Sequence, residues 1–125
     1  MAEPLRRIPA GGLARAETWP GIARQEAISA GILWSGLADL APGAATSWHH
    51  HGQHETSLYV LSGTVRLEFG PRGSQVLECG PGDFIHVPAG TVHRELNLGA
   101  AVAVTVMSRA GEGQAMYEVS GPDGP

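Results

Sequence analysis

Short runs of alternating apolar and polar residues, each closed by a turn signal, recur along most of the chain. They are Ile32 to Leu40, Ser57 to Leu61, Thr64 to Phe69, Gln75 to Glu78, Phe84 to Val87, His93 to Leu96 and Ala101 to Met107. Thr64 to Phe69 has a period of two: Val65, Leu67 and Phe69 share one face, Arg66 and Glu68 the other. The breaks between runs are Ala41-Pro42-Gly43, Ser62-Gly63, Gly70-Pro71-Arg72-Gly73, Gly80-Pro81-Gly82-Asp83, Pro88-Ala89-Gly90 and Asn97-Leu98-Gly99. Glycine and proline at such points turn the chain. Regular strand-and-turn spacing with little helical period predicts an all-β sandwich or barrel. Before Gly31 the alternation fades. Residues 1–30 therefore read as an N-terminal extension, supplying an edge strand or one exchanged across a dimer. A short helix over Ile22 to Ser29 is the other option. Residues 31–120 read as a single barrel.

Length and composition narrow the class. A chain of 125 residues fits one domain. With a formal net charge of −4 and no basic run longer than Arg6-Arg7, nothing would neutralise a row of phosphates, which argues against a nucleic-acid partner. The first ten residues lack the apolar segment of a secretory signal. Ala100 to Met107 is far too short to span a bilayer, so a cytoplasmic protein with no membrane partner is the expectation. Cys79 is the single cysteine, which excludes an internal disulfide and cysteine-based zinc clusters. It is expected as a small buried hydrophobe.

Chemistry concentrates in one place. Four of the six histidines fall within Trp48-His49-His50-His51-Gly52-Gln53-His54-Glu55-Thr56. Side chains two apart on a strand share a face, roughly 6–7 Å apart. His49 and His51 can thus face a barrel interior together while His50 points outward. Nitrogen ligands must come within ~2.0–2.1 Å of an ion such as zinc. The strand needs a local twist to achieve this, and Gly52 permits one. A third imidazole would come from His93, which opens a run just after the Pro88-Ala89-Gly90 turn. The competing reading is a polar loop that happens to be rich in histidine. His86, alone between Ile85 and Val87, reads as a satisfied interior or surface histidine.

These residues resemble the two motifs of the cupin family. Gly43, His49, His51 and Gly63 follow the order and spacing of the first motif, and Gly82, Pro88, Gly90, His93 and Asn97 meet every fixed position of the second. The resemblance implies a jelly-roll-like cupin β-barrel. It also implies a metal held by two histidines and a glutamate of the first motif together with the histidine of the second. Carried over residue by residue, the ligands are His49, His51 and His93. The acid position, seven residues before Gly63, holds Thr56 instead. Glu55 precedes it but has the opposite strand parity, whereas His54 shares the parity of Thr56. His54 is ranked ahead of Glu55 as fourth ligand, with a bare three-histidine site as the third option. Glu55, if not a ligand, is a candidate general base. Trp48, Tyr59 and Phe84 would shape the pocket or fill the core.

The resemblance implies one divalent transition metal, of Fe, Zn, Mn, Ni or Cu, acting on a small oxygenated or anionic organic substrate. The chemistry would be that of a dioxygenase, decarboxylase or sugar isomerase or epimerase. A non-catalytic small-molecule binding or sensing module is the alternative, and a homodimer is expected.

Overall fold

The computed structural model describes residues 4–16 and 20–124; residues 1–3 and 17–19 of the N-terminal extension, and Pro125, lie outside the described residues. The described strands are β1 (Ala14–Arg15), β2 (Ile22–Ala30), β3 (Leu33–Leu40), β4 (His49–His50), β5 (Glu55–Ser62), β6 (Val65–Phe69), β7 (Gln75–Cys79), β8 (Phe84–Val87), β9 (His93–Leu96), β10 (Ala103–Ala110) and β11 (Tyr117–Glu118). They form two antiparallel sheets, ordered β1-β2-β3-β10-β5-β8 and β11-β4-β9-β6-β7. The fold is the jelly-roll-like all-β barrel expected from the sequence. No helix among the described residues is long and apolar enough to cross a membrane.

Strand alternation builds the interior. In β10, Ala103, Thr105, Met107 and Arg109 are buried while the residues between them are only half-buried. Leu58 and Val60 of β5, Val65 and Leu67 of β6, and Ile85 and Val87 of β8 complete an apolar core with Ile22, Ala38 and Leu40. Each fully buried aliphatic side chain contributes about 1.5–3 kcal/mol. Cys79 is buried in this cluster, as its surroundings in sequence suggested, and burial raises its thiol pKa.

Ile22 to Ser29 is a strand, not a helix. Ile22 and Arg24 are buried while Ala23 and Gln25 are exposed, a period of two. A two-residue turn joins Ala30 to Leu33, with Gly31 at φ 58°. β2 lies so close to β3 that a Cβ on Gly36 would sit 2.1 Å from the Gln25 carbonyl oxygen. Strands β1 and β2 therefore extend the first sheet, with β1 at its edge. The final long strand is displaced from the expected Ala101 to Met107. It continues to Ala110 because its backbone pairs with β3 on one side and β5 on the other, whatever the polarity of Ser108 and Arg109.

Asn97, fully buried just beyond β9, buckles the two sheets together. Its Nδ2 donates to the Leu40 and Ala101 carbonyls, and its Oδ1 accepts from the Gly99 N–H.

Candidate metal centre

Three imidazoles meet on the inner face of the second sheet. His49 and His93 stand directly opposite each other across the β4–β9 pair, with ring centroids 4.4 Å apart. The His51 ring lies 5.0 Å from that of His49 and 5.2 Å from that of His93. All three are buried, and one potential ligand atom from each lies within 4.8 Å of the others.

The backbone sets which nitrogen each ring presents. Nδ1–H of His49 donates to the Ser47 carbonyl at 2.7 Å, that of His51 to Ala115 at 3.0 Å, and that of His93 to Thr91 at 3.0 Å. Such bonds fix the tautomer and leave Nε2 as the ligand atom. Nε2 of His93 is buried with no hydrogen-bond partner, an arrangement that costs about 1–3 kcal/mol unless something occupies the space beside it. Ligand nitrogens ~2.0–2.1 Å from a shared ion lie at most about 4.2 Å apart, so modest ring movements would close these three on a metal. The donor set fits a divalent transition ion.

Electrostatics point the same way. Burial, reinforced by the neighbouring His49 and His93, lowers the His51 pKa from 6.5 to about 3. Burial and His93 lower that of His49, partly opposed by Glu95. Both rings are thereby kept neutral at ordinary pH, the form a metal ligand requires.

Gly52 serves the site as its position suggested. At φ 59° it turns the chain after His51, and a Cβ there would lie 2.7 Å from the Tyr117 ring and 2.9 Å from the Gln114 carbonyl oxygen. The absence of a side chain lets the C-terminal segment pack close enough for Ala115 to reach His51. His50 points away from the cluster and stacks on Tyr117.

The structure does not bring His54 or Glu55 into the cluster. The turn through Gly52 and Gln53 carries His54 to the start of β5, where Nε2–H donates to the Gly113 carbonyl at 2.9 Å; its Nδ1 is buried without a partner. Glu55 is exposed on the outer face, accepting from His86 Nε2 at 2.6 Å and from the Ala89 N–H at 3.1 Å. Those two bonds lower its pKa and place it away from the proposed reaction site. His86 is thus a satisfied surface histidine. Thr56, at the family's acid position, is buried with no partner for its hydroxyl.

Sequence reasoning missed a buried carboxylate. Glu95 follows His93 by two residues on β9 and shares its face; its Oε2 lies 4.0 Å from His49 Nε2. The parity argument used for His49 and His51 would have found it. The aromatic residues, by contrast, do not line the site. Tyr59 and Phe84 pack against each other at a tilt of 53° on the outer face of the first sheet, and Trp48 packs under Arg94.

Comparison with known proteins gives this geometry a context. The family model described as "Cupin domain" matches residues 36–108. Germin-like protein 3-8 of Oryza sativa subsp. japonica is 33% identical over 97 residues, covering 74% of this chain; the chain spans 40% of that relative's length. The structure resembles that of the polyketide cyclase RemF from Streptomyces resistomycificus, with a TM-score of 0.79 at 19% identity, over 94% of this chain and 87% of that one. A sugar phosphate isomerase from Silicibacter pomeroyi aligns with a TM-score of 0.75 at 19% identity, over 92% and 82%. The S161A mutant of oxalate decarboxylase OxdC from Bacillus subtilis aligns with a TM-score of 0.71 at 23% identity, over 84% and 29%. At those identities the structural likeness is one of fold alone.

Proposed function

The chain belongs to the cupin domain family, and from that premise we propose a metal-dependent enzyme whose His49, His51 and His93 hold one divalent transition ion. The observation that carries the reading is the convergence of three buried rings, each anchored through Nδ1 to a backbone carbonyl. Fe, Zn, Mn, Ni and Cu all suit three imidazoles. When bound, such an ion acts as a Lewis acid that polarises an oxygen of the substrate.

The chain's own residues supply the rest. The Ser47, Ala115 and Thr91 carbonyls orient the three histidines, and their burial keeps the rings out of bulk water. Glu95 would be the proton-transfer group: its buried carboxylate flanks the cluster beside His49, where it would take a proton from a carbon of the bound substrate. Return of that proton to a neighbouring atom gives an isomerisation, with no change in oxidation state. A small oxygenated organic substrate meets these requirements. Neutral nitrogen ligands also suit dioxygen chemistry at iron, and substrate-dependent oxygen uptake would favour that second reading. The outer face of the first sheet, where Leu61 and Phe84 are exposed beside Tyr59, supports assembly as a homodimer.

The test is turnover by protein loaded separately with each of the five metals, against hydroxy acids, keto acids, aldoses and catechols. Product formation by at least one loaded form, absent after chelation, is expected. Bound compounds returned unchanged under every metal would instead identify a binding module.

A further inference from the structure

A narrow apolar recess reaches the histidine cluster from between the two sheets. Strands β7 and β8 are joined by a short turn, Gly80 to Asp83, yet β8 ends the first sheet and β7 ends the second. The two strands do not pair with each other, and a cavity of about 80 Å³ lies between them. Its walls are Leu67 and Phe69 of β6, Leu77 of β7, and Ile85 and Val87 of β8, and it reaches His93. The lining runs from Leu77, 46% exposed, to His93, 2% exposed, so the recess leads from the surface to a ring of the metal centre. Packed interiors leave few voids larger than a water molecule, whose share of liquid volume is about 30 Å³. This one is more than twice that size, and its apolar walls give water little to bind. Nε2 of His93, by contrast, is buried and has no hydrogen-bond partner. The space thus combines hydrocarbon walls with one unsatisfied nitrogen.

Sites for whole small molecules span roughly 300–1,000 Å³, so a recess of about 80 Å³ takes one substituent and not a complete substrate. At about 30 Å³ for each water-sized group, that substituent has roughly two or three carbons. Resting on the metal-dependent reading above, we infer that the substrate carries a short hydrocarbon chain that fills this recess while an oxygen beside the chain sits at the histidines. The recess is then the part of the site that selects among substrates by chain length. Each methylene moved from water into such walls strengthens binding roughly fourfold.

The probes are acetate, propionate, butyrate and hexanoate, titrated into the zinc-loaded protein and followed by calorimetry and by the methyl NMR signals of Ile85 and Val87. Butyrate should bind about fifteenfold more tightly than acetate, at roughly fourfold per methylene, with no further gain at hexanoate. It should also shift both methyl signals. Leu77→Phe narrows the recess at a half-exposed position of an edge strand, where the fold tolerates the larger ring. That variant should lose the gain from acetate to butyrate while its metal content stays at the wild-type level. Ile85→Val widens the recess and should move the preferred chain to a longer one. No binding, equal affinity along the series, a gain that continues through hexanoate, or Ile85 and Val87 signals that butyrate leaves unmoved overturns the inference. So does a full gain in folded Leu77→Phe. Metal content is measured on the same samples, so the two readings fail separately. The same chain-length preference at the same methyl signals, in a protein that takes up no metal, would support the recess and sink the metal centre.

Discussion

Replacing Asn97 by alanine removes the buckle between the sheets. The side chain makes three hydrogen bonds, and the residue is fully buried. At a net ~1 kcal/mol apiece the bonds contribute about 3 kcal/mol, and the stranded buried backbone partners raise the loss to about 3–5 kcal/mol. That is a large part of the 5–15 kcal/mol roughly expected for a domain. Urea denaturation of the metal-free protein measures it directly. With a slope of about 1–3 kcal/mol/M, the midpoint should fall by at least 1 M or so while the slope holds. The cluster itself should survive, because His93 lies four residues away, roughly 13 Å along an extended chain. Metal uptake by Asn97→Ala under native conditions should therefore match the wild type. A loss below about 1 kcal/mol would show that the neighbouring backbone finds other partners and that the buckle argument is wrong.

Three other outcomes follow from the site. The His51 pKa lies below its unfolded value, so the unfolded chain binds the extra proton and stability falls as pH drops from 6.5 toward about 3. At ~1.4 kcal/mol per pH unit, metal-free wild type should lose about 2 kcal/mol more than His51→Gln between pH 6.5 and 5; parallel curves from denaturant titrations would refute this. Glu95→Gln should keep its metal and lose turnover by at least about a hundredfold, as expected for a proton-transfer group; unchanged kcat would remove Glu95 from the chemistry. Glu55→Gln, altering an exposed pair with His86, should leave metal content unchanged and the urea midpoint indistinguishable from that of the wild type. Loss of metal in that variant would restore Glu55 as a ligand.

Much of the fold could be read from alternation and turns. Phe84–Val87 and His93–Leu96 occur as strands with the expected bounds, because Pro and Gly stop the chain on either side. Strand β2 was harder to see: its bulge between Glu26 and Ile28 breaks the period, and its buried Arg24 reads as polar. The two-residue strands β4 and β11 are too short to carry a pattern and exist through their partners. At the site, parity along β4 and the turn before β9 bring out His49, His51 and His93. His54 does share the buried face of Thr56, as its parity predicts, but the turn through Gly52 and Gln53 sets it apart from the other three rings, and its Nε2–H donates to the Gly113 carbonyl instead. Leu77, Ile85 and His93 come from three strands, and their meeting around the recess depends on a sheet order that no local spacing encodes.

The central claim is that three distant imidazoles grip one ion. Metal analysis of untagged protein, beside His49→Ala and His93→Ala, tests it most directly. The account predicts close to one equivalent of a single transition metal in the wild type and a loss of most of it in each variant, with the β-sheet circular dichroism signal retained. A folded wild type that takes up no transition metal, or folded variants that keep a full equivalent, would contradict it.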